Sequence, residues 1–276
     1  MPDPRTSSSP PSRAAAESPQ QLPLFQLRLQ TRVGALHLDL ELALTSRWTV
    51  IFGPSGSGKS TILRAICGLL SQKPRSGIFS NFLAARGGSG APLEWDRPHH
   101  RVAPHRRQLA YAPQGAVLFP HMSVRENISF PCAARRIPSP GLRAAQQTGS
   151  SEEIVDQAIQ CFQLEALVQR KPGDLSGGER QRVNLARAFA VPHPRLILLD
   201  EPFTGIDRAL RGALLPRMQE RAVQLGAPVL SVTHDVEEAL MLGAEVIRLE
   251  QGRILDQGAA SLVLAEERAR MLRILL

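Results

Sequence analysis

The residues with the clearest chemical purpose stand between positions 53 and 61. Gly53-Pro54-Ser55-Gly56-Ser57-Gly58-Lys59-Ser60 fits the pattern Gly-x-x-x-x-Gly-Lys-Ser/Thr, and Thr61 follows directly. Glycines let a chain turn tightly enough for successive N–H groups to converge on phosphate oxygens, and a helix opening at the end of the loop adds its positive pole. Lys59 is then expected to reach the β and γ phosphates of a nucleotide, and Ser60 to hold Mg²⁺. Further on, Arg195-Leu196-Ile197-Leu198-Leu199-Asp200-Glu201 ends an apolar run in two adjacent acids. Ligands of parallel sheets bind at the carboxyl ends of strands. Asp200 therefore suits the Mg²⁺ shell, and Glu201 suits a general base that polarises an attacking water.

A second anion site is written into Leu175-Ser176-Gly177-Gly178-Glu179-Arg180-Gln181-Arg182, which follows Pro172-Gly173. Ser176, the amides of Gly177 and Gly178, and Glu179 would form the N-terminal end of a helix, where backbone N–H groups are free to meet negative charge. Two separate phosphate-binding ends on one chain suggest one nucleotide shared by two molecules.

The elements needed to position these groups can be read from periodicity. Alternating apolar residues from Leu24 to Leu44 predict strands with a turn at Gly34, and Arg47 to Phe52 predicts a short buried strand. Lys59 to Leu70 carries Ile62, Leu63, Ile66 and Leu69 at helical spacing. A strand, a glycine loop and a helix make the first half of a parallel α/β unit. Ser71 to Pro104 shifts to Gly, Pro, Arg and His, which predicts a long irregular connection or a weak hairpin around Gly87 to Gly90. After the polar stretch Pro138 to Ser150, Ser150 and Glu153 stand at capping-box spacing ahead of Ile154, Ala158, Ile159 and Phe162, so Pro113 to about Leu175 reads as an inserted helical lobe. Strands at Arg195 to Asp200 and Pro228 to Thr233 alternate with helices at Asp207 to Leu225 and Glu237 to Leu242. Glu245 to Glu250 and Arg253 to Asp256 read as strands paired through Gly252, with a last helix from Leu262 to Ile274. No internal repeat is evident.

With these motifs in view, the chain resembles the ATPase subunit of an ATP-binding cassette (ABC) transporter over about residues 25 to 260. Leu175 to Arg182 resembles that family's signature motif. Gln114 in Tyr-Ala-Pro-Gln resembles the Q-loop, Asp207 in Thr-Gly-Ile-Asp the D-loop, and His234 in Ser-Val-Thr-His-Asp the switch histidine. The resemblance implies an α/β fold: a P-loop NTPase core with a mainly parallel sheet, an antiparallel β subdomain and an inserted α-helical subdomain. It implies that Gln114 meets Mg²⁺ or water and senses a membrane subunit, and that His234 meets the γ-phosphate. It also implies a head-to-tail homodimer in which the loop at 53–61 of one subunit and Ser176 to Glu179 of the other enclose ATP, with Asp207 at the same seam. Permease subunits, and through them a solute-binding protein, would be the partners, at the cytoplasmic face of the inner membrane.

Two departures stand out. Thr31 to Leu36 contains no aromatic residue where family members stack adenine, and Gly205-Ile206 stands where Ala-Leu is commoner. Leu118 to Asn127 is similar to importers of oxyanions and polyamines. Phe52-Gly53, Pro104 to Arg107 and Glu250 to Arg253 look most like molybdate-import ATPases. Sulfate, polyamine or another solute, or a soluble ABC ATPase outside transport, stay open as alternatives; the single cassette and the lack of a heptad run speak against the nucleic-acid and ribosome types. Longer members of the molybdate subgroup carry a C-terminal β domain. This chain ends eighteen residues past Gly258 and is expected to lack its sensing role.

Composition narrows the rest. The 276 residues include 33 Lys and Arg against 25 Asp and Glu, a net charge of +8, and 43% are hydrophobic. That excludes wholesale disorder and gives one or two domains, here residues 24 to 276 after a disordered tail at 1–23 with six prolines and five serines. No apolar run approaches the roughly 20 residues of a membrane span. Cys67, Cys132 and Cys161 form no C-x-x-C pair, which fits a reducing compartment. His99, His100 and His105 lie among Arg and Pro without ordered ligand spacing and read as a solvated basic loop rather than a metal site. The modest positive charge reads as surface, and no nucleic-acid partner is expected.

Overall fold

The computed structural model describes residues 24–34, 36–70, 83–87, 93–97, 100–134, 150–242 and 245–274. The expected tail at 1–23 and the tip of the hairpin expected at 87–90 lie outside them. Two sheets organise the chain. One is antiparallel and has the strand order β2-β1-β4-β5-β6, built from β1 (Phe25–Val33), β2 (Leu36–Leu44), β4 (Leu83–Gly87), β5 (Leu93–Arg97) and β6 (His100–Arg101). The other has the order β11-β10-β3-β9-β8-β7, from β3 (Trp48–Phe52), β7 (Leu109–Ala112), β8 (Leu196–Asp200), β9 (Val229–Thr233), β10 (Glu245–Glu250) and β11 (Arg253–Ala259). All pairs in this second sheet are parallel except β10 with β11.

β3, β8 and β9 are buried along their whole length, which is why they read as continuous apolar runs rather than alternating ones. Their successive side chains still point to opposite faces. Leu196 and Leu198 join one apolar cluster with α1 (Lys59–Ile66) and the inner leucines of β1 and β2. Ile197 and Leu199 join the other, with residues of α2 (Val124–Ala134), α3 (Ser151–Cys161), α4 (Gly177–Phe189) and α5 (Arg208–Leu225). The helices between 113 and 175 share this second cluster with the sheet; Phe162 and Phe189, for example, meet edge to face at 5.4 Å. α6 (Val236–Met241), α7 (Ala260–Val263) and α8 (Ala265–Ile274) complete the chain.

Several expectations are corrected. The helix expected over Lys59 to Leu70 stops at Ile66. Gly68 takes φ +72°, its N–H donates to the Ala65 carbonyl at 2.9 Å and the Leu69 N–H to the Arg64 carbonyl at 2.8 Å, which is a Schellman stop. Fully buried Arg107 donates to the Ile66 carbonyl at 2.8 Å and from Nε to the Val102 carbonyl at 3.0 Å, placing its charge at the negative end of α1. Of the two readings of 71–104, the hairpin is the one found: β4 and β5 pair antiparallel, and the addition is that β4 also joins β1 and β5 joins β6, which satisfies backbone groups that composition alone leaves open. β11 runs on to Ala259, and the last helix is broken at Leu264 into α7 and α8. The three cysteines are buried, and burial pushes the thiols of Cys67 and Cys161 up to about 12.

The turn between β10 and β11 bears directly on the phosphate loop. Gly252 has φ +77°, its N–H donates to the Ser57 carbonyl at 3.1 Å, and a Cβ there would stand 2.7 Å from the His37 carbonyl oxygen. Gly252→Ala combines a left-handed backbone with a backbone clash and is expected to destabilise the chain by about 1–3 kcal/mol. A urea unfolding midpoint unchanged from the parent would contradict this packing.

Candidate functional site

Four parallel strands end on one edge of the sheet, and each delivers an expected functional residue there. β3 runs into the 53–58 loop and α1, β7 into Gln114, β8 into Asp200 and Glu201, and β9 into Thr233 and His234. The side chains are brought together by hydrogen bonds between these loops.

The loop folds with Gly56 at φ +82° and Gly58, the N-cap of α1, at φ +103°. Lys59 is buried, and its Nζ donates to the carbonyls of Gly53 at 2.7 Å and Pro54 at 2.8 Å. An ammonium has three donors, so the side chain bridges the loop and keeps one for another acceptor. Burial lowers its pKa, while the charges of Glu201 and Asp200 pull the other way. Gly58 lies beneath β2: a Cβ there would meet Leu36 at 2.9 Å. Phe25, the aromatic residue nearest Thr31 to Leu36 in sequence, is only 1% exposed and cannot stack on a base.

Asp200 is 1% exposed. Ser60 Oγ donates to its Oδ1 at 2.9 Å and Tyr111 Oη to its Oδ2 at 3.4 Å. Burial pushes the carboxyl above its usual range, with the Ser60 bond acting against this and neighbouring Glu201 adding to it. Burial and the Asp200 charge likewise push the Tyr111 phenol to about 12. A buried carboxylate beside another acid is relieved by a cation. Ser60 Oγ and Asp200 Oδ1 are hard oxygen donors of the kind Mg²⁺ takes, with water and phosphate oxygens filling the remaining positions. Among the described residues no three His, Cys, Asp or Glu side chains converge to hold a metal, so most ligands of such an ion would come from nucleotide and water.

Glu201 leaves the strand with φ +48°, a left-handed conformation uncommon for a residue with a Cβ. Its side chain keeps 17% of its surface exposed at the edge. Gln114 Nε2 donates to Oε2 at 3.0 Å, Thr204 Oγ1 to the same oxygen at 3.4 Å, and His234 Nδ1 stands 3.0 Å from Oε1. A carboxylate only accepts, so the imidazole donates from Nδ1 and keeps Nε2 for a further partner. Gln114 and His234, far apart in sequence, thus meet on one carboxylate.

Ser176 is exposed and caps α4 as expected: its Oγ accepts from the Glu179 N–H at 3.2 Å, and the Glu179 carboxylate accepts from the Ser176 N–H at 2.7 Å. Neither side chain bonds to residues 53–61 within the chain. Asp207 caps α5 through the Leu210 N–H at 2.9 Å. Gly205, one of the two departures from the family pattern, has φ +76°, which favours glycine over alanine there.

Sequence reasoning missed three side chains of α4 that hold the edge in place. Gln181 donates to the Pro202 carbonyl at 2.9 Å, Asn184 to the Pro113 carbonyl at 2.9 Å and Arg187 to the Val117 carbonyl at 2.6 Å. Their spacing of three, with Gln181 and Asn184 buried among Val183, Leu185 and Ala186, is the signal: polar residues on a buried face need partners.

Comparison with known proteins places this geometry. The profile of the family described as ABC transporter matches residues 37–204. The chain belongs to the ABC transporter family. It is 40% identical over 235 residues to the molybdenum import ATP-binding protein ModC of Aromatoleum aromaticum, covering 83% of this chain and 55% of that protein. It is 35% identical over 234 residues to the molybdate/tungstate import ATP-binding protein WtpC of Archaeoglobus fulgidus, covering 85% and 86%. The Fe(3+) ions import ATP-binding protein FbpC of Pseudomonas fluorescens is 39% identical over 212 residues, covering 76% and 53%. The chain therefore spans little more than half the length of several relatives it matches. Among solved structures, one described as the ATP binding subunit of an ABC transporter has a TM-score of 0.64 and 26% identity, covering 88% of this chain and 92% of that one. No helix among the described residues is long and apolar enough to cross a membrane.

Lys59→Ala removes the one ammonium that bridges the loop. A charged hydrogen bond is worth about 1.5–3 kcal/mol, so nucleotide affinity is expected to fall about 10- to 100-fold. Titration with a fluorescent ATP analogue measures this, and an unchanged dissociation constant would remove Lys59 from the site.

Proposed function

We propose that this chain is the ATP-hydrolysing subunit of an ABC importer, energising uptake of molybdate or a related oxyanion. Residues 24 to 276 form its ATPase domain, with 113–175 as the helical subdomain. Two copies act head to tail at the cytoplasmic face of the membrane, as peripheral subunits beneath the permease and, indirectly, its solute-binding protein. The single observation that carries the reading is the Glu201 carboxylate held between Gln114 and His234, next to an Asp200 bonded to the loop residue Ser60.

In this reading the amides of 53–61 and Lys59 grip the β and γ phosphates. Ser60 and Asp200 would hold Mg²⁺, which supplies charge neutralisation for the phosphates when bound. Glu201 orients a water and takes its proton as the water oxygen attacks the γ-phosphorus; the bond from phosphorus to the bridging oxygen breaks, giving ADP and phosphate. His234, when its ring carries both protons, donates from Nδ1 to Glu201 and from Nε2 to the γ-phosphate, and Gln114 links the water site to the membrane subunit. Ser176 to Glu179 of the second copy close over the same phosphate, and Asp207 lies at that seam. The exposed Ser176 hydroxyl, already accepting from Glu179, keeps its hydrogen for such an acceptor.

The names of the ModC and WtpC relatives favour molybdate or tungstate as cargo. A ferric-ion importer subunit of similar identity keeps a second cargo open. The deciding experiment is to identify the permease and binding protein that co-purify with the chain and to titrate that binding protein calorimetrically with molybdate, tungstate, sulfate and ferric ion. Heat with molybdate or tungstate alone supports the oxyanion reading, and heat with ferric ion alone replaces it.

Glu201→Gln tests the chemistry. Loss of a transition-state contact of this kind costs about 10²–10³ in rate, so turnover is expected to drop by at least that much while ATP is retained and dimers accumulate. Normal phosphate release by Glu201→Gln, with only monomers on gel filtration in ATP, would contradict the assignment.

A further inference from the structure

Between the two loops that carry Glu201 and His234 stands a side chain that no sequence motif singled out. Arg211 lies one turn into α5, and its own N–H donates to the Asp207 carbonyl at 2.9 Å, so it is fixed relative to the Asp207 cap. Its guanidinium carbon sits 5.7 Å from the ring centre of Phe203, a buried residue two places after Glu201. Its Nη1 donates to Asp235 Oδ2 at 3.0 Å, the residue directly after His234. One cation therefore reaches both loops, lying over the Phe203 ring of one as a cation–π contact and bonding the other.

The Asp235 end is equally constrained. Its Oδ1 accepts from the Glu238 N–H at 3.2 Å and caps α6, leaving Oδ2 for Arg211. Its own N–H donates to Thr233 Oγ1 at 3.0 Å, a bond that spans His234, and Thr233 Oγ1 in turn donates to Glu238 Oε2 at 3.0 Å. Arg208, the first residue of α5, pairs with Glu237 of α6. The first turn of α5 and the first turn of α6 are thus joined twice. Burial alone would raise the Asp235 carboxyl, but the Glu238 amide and Arg211 together hold it below its usual range, so it carries charge near neutrality.

We propose that Arg211 is a positioning residue for hydrolysis: its guanidinium clamps the Glu201 loop to the His234 turn, so that the seating of α5 sets the contact between those two side chains. Since Asp207 caps α5, a shift at the dimer seam would pass through Arg211 to both. The inference rests on the hydrolytic reading above.

The test measures ATP hydrolysis by the full chain. Misplacing reacting groups by about 1 Å can cost 10²-fold, so Arg211→Met is expected to lower kcat about 10- to 100-fold with KM for ATP within about twofold. Arg211→Lys keeps the charge toward Asp235 but changes the cation over Phe203, and should recover part of the rate. Asp235→Asn keeps the oxygen that caps α6 and loses the charge; combined with Arg211→Met it should add little, since both break one contact. A folded Arg211→Met with kcat within about threefold of the parent, or a raised KM at unchanged kcat, overturns the proposal. So does a double variant whose losses multiply. If Arg211→Met does not fold, Asp235→Asn decides alone: reduced kcat at constant KM supports the clamp and unchanged kcat overturns it. Glu201→Gln measured alongside separates the two levels. Its full activity would sink the hydrolytic reading, whereas an inactive Glu201→Gln beside a fully active Arg211→Met sinks only the clamp.

Discussion

Two carboxylates adjacent in sequence meet at the end of a strand buried from Leu196 to Asp200, and the second keeps only 17% of its side chain exposed. Like charges in a poorly solvated place raise each other's cost. The chain leaves the strand at Glu201 through the left-handed region, at a conformational cost typical of strained functional residues. Each acid then acquires its own donors: Ser60 and Tyr111 for Asp200, and Gln114, Thr204 and His234 for Glu201. Every other element at this edge can be understood as holding those donors in place.

α4 is the main support. It presents an exposed, self-capped N-terminus at Ser176, while its buried face grips the carbonyls of Pro202, Pro113 and Val117. The helix that would meet a second copy's nucleotide is therefore bonded to the segments bearing Glu201 and Gln114 of its own chain. In the proposed head-to-tail dimer, the two half-sites contributed by one molecule would share this helix.

The site was legible in the sequence where chemistry demands a fixed spacing. Residues 53–60 need their glycines and lysine in order, and Asp200-Glu201 must follow an apolar strand. The central strands were equally plain, because burial on both faces leaves runs such as Leu196 to Leu199. What could not be read depends on partners distant in sequence. The hairpin at 83–97 was legible from its glycines but its seat beside β1 was not, and α1 ends early because Gly68 and buried Arg107 close it. Gln181, Asn184, Arg187 and Arg211 look like surface residues until the loops they bond are folded against them.

The cysteines carry a practical corollary. All three are interior, and thiols displaced to about 12 at Cys67 and Cys161 hold almost no thiolate at neutral pH, the form that reacts with alkylating reagents. Cys67 and Cys161 are thus a quiet background for site-directed labelling, and Cys132, which lines a surface pocket with Arg125 and Val155, is the one to replace. With Cys132 replaced, a single thiol placed on the exposed N-terminal end of α4 would report the approach of a neighbouring molecule while Cys67 and Cys161 stay in place.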